Sequence, residues 1–95
     1  MLVIIKNAPD TSEAKRGVSL ACDTSADIVL LQNGVYFSQG QKLGEAGFRG
    51  RAYVLEDDRL LRGLKTVHDS KNIQEINYDS LVDLMTEHDK VIGMF

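Results

Sequence analysis

Ile28-Val29-Leu30-Leu31-Gln32-Asn33-Gly34-Val35-Tyr36-Phe37 is the stretch whose reading decides the fold. Its first four residues are apolar, two of them β-branched, with no polar alternation. That is the pattern of a strand covered on both faces. The run passes directly into Asn33-Gly34, two residue types that tolerate positive φ, so the spacing predicts a tight turn leading into a helix. Upstream, Leu2-Val3-Ile4-Ile5 repeats the buried-strand pattern until Asn7-Ala8-Pro9-Asp10 breaks it. Asp10 with Glu13 has the form of a capping box with Asp in place of Ser or Thr. In the helix expected there, Ala14, Val18, Ala21 and Cys22 share one buried face. Glu13, Lys15, Arg16 and Ser19 lie on the other, and Gly17 weakens the helix by about 1 kcal/mol or admits another backbone.

Downstream, residues 40–50 hold four glycines and read as a flexible loop. Ala52-Tyr53-Val54-Leu55 is a third strand, and Glu56-Asp57-Asp58 open a short helix over residues 59–62 that Gly63 closes. Residues 68–72 are turn-like, residues 73–76 form a half-exposed strand, and Asp79 caps a last helix with Leu81, Val82, Leu84 and Met85 along its apolar face. Residues 91–95 supply a fifth strand. Strands alternating with helices mean an α/β fold: a three-layer sandwich around a mainly parallel sheet of four to five strands. At 95 residues the chain makes one domain, 1–95.

Composition narrows the function. Eleven Lys and Arg against fourteen Asp and Glu give a net charge of −3, which argues against a dedicated nucleic-acid coat. No apolar run approaches the roughly 20 residues of a membrane span, and Lys6, Asn7, Pro9 and Asp10 end the first one too early for a signal peptide. A single cysteine cannot form an internal disulfide, which fits a reducing, cytoplasmic setting. Cys22, His68 and His88 have no zinc-ligand spacing, so neither a structural metal nor a cofactor is expected.

In parallel α/β sheets the reactive or binding site lies beyond the carboxyl ends of the strands. Here those ends are residues 6–10, 32–34 and 56–58. Gln32, Asn33, Gly34 and Val35 place backbone amides there and suit an anion or a partner. There is no GxGxxG and no GxxxxGK[ST] to mark a nucleotide site. Glu56, Asp57 and Asp58 read as caps and dipole partners before metal ligands. Arg49, Arg51, Arg59, Arg62 and Lys65 read as a solvated face, or as ion pairs with those carboxylates, before a phosphate site. Cys22, near the end of its helix and beside the apolar stripe, reads as a small buried hydrophobe; the competing reading is a reactive thiol. The two histidines have no paired nucleophile, and no triad can be built.

Taken in order, three segments resemble the DsrH/TusB family of sulfur-relay subunits over nearly the whole chain. They are Gln32 to Val35 after a strand; Tyr53-Val54-Leu55 followed by Glu56-Asp57-Asp58 and Leu61-Arg62-Gly63-Leu64; and Ile76-Asn77-Tyr78-Asp79-Ser80-Leu81-Val82-Asp83-Leu84. The resemblance implies a DsrE/F/H-like fold. It also implies partners of the DsrE/DsrF or TusC/TusD kind, with a role in 2-thiouridine formation at the tRNA wobble position or in sulfur oxidation, tRNA being served only indirectly. DsrH-type members carry a cysteine in the first helix about one turn before Cys22, where Val18 stands here, and TusB-type members lack a working cysteine. The likeness favours a non-catalytic subunit that binds through Gln32 to Val35 and the C-terminal segment. A self-contained carrier using Cys22, and a homo-oligomeric binding protein without sulfur chemistry, are the alternatives. In each case the apolar residues 35–37 and 91–95 predict that the protein is not a monomer.

Overall fold

The computed structural model describes residues 1–39, 42–64 and 72–94. Lys65 and His68 lie outside the described residues. The element order is β1 (Leu2–Ile5), α1 (Ser12–Thr24), β2 (Asp27–Leu30), a 3₁₀ helix (Gln32–Ser38), α2 (Lys42–Glu45), β3 (Ala52–Leu55), α3 (Glu56–Leu61), β4 (Ile73–Ile76), α4 (Tyr78–Glu87) and β5 (Val91–Met94). The strands form one sheet in the order β4-β3-β2-β1-β5, and every pairing is parallel.

Alternation along each strand divides the core in two. Val3, Ile5, Ile28, Leu30, Ala52 and Val54 face the layer that carries Ala14, Val18 and Ala21 of α1, with Val35 and Phe37 of the 3₁₀ helix. Leu2, Ile4, Val29, Tyr53, Leu55 and Ile76 face the other way, onto Leu81 and Leu84 of α4. The topology accounts for the division. From β1 to β4 the chain steps one way across the sheet, and from β4 it returns past the whole sheet to β5. Right-handed crossovers then put the early connections on one face and α4 on the opposite one.

The helix termini differ from the sequence reading. Thr11, not Asp10, caps α1: its hydroxyl accepts from the Ala14 N–H at 3.2 Å and donates to the Ala8 carbonyl at 2.8 Å. Asn77, not Asp79, caps α4, its Oδ1 accepting from the Ser80 N–H at 2.8 Å. α3 starts at Glu56, directly out of β3, three residues before the expected start. Gly63, at φ 64°, does end it. The Gly63 N–H donates to the Leu60 carbonyl and the Leu64 N–H to the Arg59 carbonyl, the paired bonds of a Schellman motif. The expected glycine-rich loop instead contains α2 and buries Leu43 and Phe48.

Candidate functional site

The carboxyl edge of the sheet is tied together by residues from three strand ends. Leu31 donates its N–H to the Ile5 carbonyl at 3.0 Å, and Gly34 donates to the Leu31 carbonyl at 2.8 Å. Gly34 lies so close to the end of β1 that a Cβ built on it would sit 2.1 Å from the Ile5 carbonyl oxygen. Here the structure corrects the expected turn. Gly34 does not have a positive φ; Gln32 does, at 49°. Glycine is required at 34 for close backbone approach, not for handedness.

Gln32 holds this left-handed conformation because its N–H donates to Asp58 Oδ2 at 2.7 Å. Asp58 lies in the first turn of α3, and Arg62 one turn later donates to the Asp58 carbonyl at 3.1 Å. Arg62 Nε then reaches across to Asn33 Oδ1 at 3.1 Å. The Asp58–Arg62 side-chain pair itself is 4.0 Å apart and contributes little. The residues read as caps and ion-pair partners therefore do something more specific, since Asp58 and Arg62 clasp the turn after β2 onto α3.

The four residues expected to bind a partner separate into two pairs. Gln32 and Asn33 lie at the surface, whereas Gly34 and Val35 are buried within the chain. The residues exposed at this edge are Gln32, Asn33 and Tyr36, with Leu60 and Leu61 of α3, the last 81% exposed. Of the apolar residues 35–37 expected to be exposed, only Tyr36 is, since Val35 and Phe37 are buried in the core; Leu60 and Leu61 carry no such expectation from the sequence. A Leu-Leu pair beside three acids in so short a helix was the signal available.

The basic cluster does not assemble. Arg49 and Arg51 are exposed, Arg62 belongs to the clasp, and Arg59 is buried. The Arg59 guanidinium forms an ion pair with Glu75 on the edge strand β4 and donates to the Leu64 carbonyl at 2.7 Å. That pair, buried at Arg59 and half-buried at Glu75, pins the end of α3 to β4, and nothing in the sequence pattern signals it. Among the described residues, no three His, Cys, Asp or Glu side chains gather as a metal site would require. No helix among them is long and apolar enough to cross a membrane.

Cys22 is exposed, contrary to the expected buried hydrophobe. The buried line of α1 is Ala14, Gly17, Val18 and Ala21, and Cys22 stands about 90° around the helix from its centre by the 100° per residue of an α-helix. It also occupies the last turn of α1, which runs back from the carboxyl edge of the sheet to the amino edge. Val18 is 2% exposed and borders a groove of about 530 Å³ between α1 and α2, together with Pro9, Lys15, Phe37 and Lys42. The position at which the resemblance puts a cysteine thus lies in the wall of a groove and holds a buried valine. Cys22 does not line that groove.

Residues 9–91 match the family described as DsrH like protein. The chain belongs to the DsrH-like family. Protein Tm0979 from Thermotoga maritima, solved in solution by NMR, is similar in structure, with a TM-score of 0.65 and 28% sequence identity. That likeness covers 95% of this chain and 97% of the Thermotoga protein. Comparison with curated proteins finds no match. Membership in the DsrH-like family supports a subunit of the sulfur-relay type, and the five-stranded parallel sheet agrees with the fold the motifs implied.

Proposed function

We propose that this DsrH-like chain is a non-catalytic, partner-binding subunit of a cytoplasmic sulfur-relay complex. Its partners would be related α/β subunits of the DsrE/DsrF or TusC/TusD kind. The relay would serve wobble-uridine thiolation or sulfur oxidation, with tRNA met by the complex rather than by this chain. One observation carries the proposal: in the wall of the groove beside α1, the buried side chain of Val18 stands where a persulfide carrier of the family would present its thiol. The only cysteine stands outside that groove, in the last turn of α1. The carboxyl edge is meanwhile occupied by a clasp that orders Gln32 and Asn33 beside exposed Tyr36, Leu60 and Leu61, an arrangement suited to docking.

The exposure of Cys22 favours a second reading, a carrier that uses a displaced thiol. One experiment separates the two. The purified chain is incubated with a cysteine desulfurase and cysteine, and its intact mass is measured beside a Cys22→Ala control. The proposal expects no added sulfur, together with recovery of related α/β subunits when the chain is isolated from its native cells. A one-sulfur adduct that vanishes in Cys22→Ala overturns it in favour of the carrier.

A further inference from the structure

Six large apolar side chains among the described residues are exposed, and they fall into two groups. Tyr36, Leu60 and Leu61 belong to the carboxyl edge described above. Tyr78, Val82 and Met85 stand at i, i+4 and i+7 on α4, across the sheet from the 3₁₀ helix, and are 55%, 58% and 41% exposed. At 100° per residue these three form one line, beside the line of Leu81 and Leu84 that meets the sheet. On its outer side follow Asp79, Asp83 and Glu87, spaced four residues apart. α4 contains no lysine or arginine.

We infer that this line on α4 is a second docking surface. Its occupant is a protein of different sequence whose apolar contact residues are bordered by lysine or arginine. The inference rests on the partner-binding reading above and adds to it where the second contact lies and what chemistry it takes. Charge decides between a second copy and another partner. Two copies packed through α4 about a two-fold axis would bring the same surface against itself. Six carboxylates would then border one small apolar contact with no cation on either helix to offset them, and like charges across an interface oppose association. A basic-bordered partner turns the same three carboxylates per helix into attractive contacts. Three apolar residues make a small patch, so the acidic border sets specificity and the rate of encounter.

The test uses the full chain, labelled for NMR, and two synthetic helical peptides with the same leucine stripe, one flanked by lysines and the other by glutamates. The lysine-flanked peptide is expected to move the amide signals of residues 78–87, and the glutamate-flanked peptide to leave them in place. Val82→Asp is expected to abolish the effect. The double change Asp79→Asn with Asp83→Asn should weaken it about fivefold, the scale of two exposed charge contacts. Equal binding of both peptides, no movement in α4, or signals of α4 that move with the concentration of the chain alone would each overturn the inference. The peptides need no sulfur chemistry. An α4 response beside a Cys22 adduct leaves this surface standing while the non-catalytic reading falls, and the reverse pair of results does the opposite.

Discussion

α1 and α4 read alike in the sequence, each an amphipathic segment between two strands, yet they do different work. α1 buries four residues against the sheet and the 3₁₀ helix, and no large apolar side chain on it is exposed. α4 buries only Leu81 outright and exposes three. The difference follows from position: the face under α1 is shared with the 3₁₀ helix, α2 and Phe48, which close over it, whereas the apolar arc of α4 is wider than the line it sets against the sheet. Amphipathicity records how much of a helix avoids water; it does not say whether the same chain supplies the cover.

One substitution made twice would break this contrast most directly. Val18→Asp puts a carboxylate into the closed α1 layer, and the expected loss is about 4 kcal/mol or more, enough to unfold a domain of this size. Circular dichroism and urea melts of the purified variant measure it. Gly34→Ala comes next, at about 3 kcal/mol, because the new methyl meets the Ile5 carbonyl and β1 or the 3₁₀ helix must move. A wild-type urea midpoint would show that the seam is looser than described.

Asp58→Ala sharpens the comparison at the clasp. Removing the acceptor of the Gln32 N–H leaves a left-handed glutamine unsupported, and the expected loss is about 1–2 kcal/mol. NMR should show the change concentrated at Gln32 and Asn33. The smallest effect belongs to Val82→Asp, the counterpart of Val18→Asp on α4. At an exposed position its stability should stay within about 0.5 kcal/mol of the parent chain. A large loss there would mean that α4 is closed by its own chain after all.

The strands are legible because each is a run of apolar or β-branched residues bounded by polar ones, and their all-parallel pairing follows from the alternation with helices. The caps differ from expectation by one or two residues, since Asp10 stands beside Thr11 and Asp79 follows Asn77 closely, and spacing alone does not rank neighbouring oxygens. Cys22 departs for a different reason. The stripe of α1 turns toward Gly17, which is buried but carries no side chain to register in an apolar pattern, so counting shifts the face toward Cys22. At the candidate edge, the location is legible and the division of labour is not. Gly34 and Val35 are interior, and the ties through Asp58 and Arg62 span 26 and 29 residues. Separations of that length leave no periodic trace.

The place of β1 in the sheet bears on how the molecule assembles. On one side β1 pairs with β2, Leu2 opposite Asp27; on the other it pairs with β5, Leu2 opposite Val91. The first ladder closes a loop of a few turns, while the second closes nearly the whole chain, and contacts of long sequence separation are gained slowly. β5 is therefore expected to dock last and to open first, leaving β1 to β4 paired. Native-state hydrogen exchange would record this as amide protection that falls from β2 across β1 to β5.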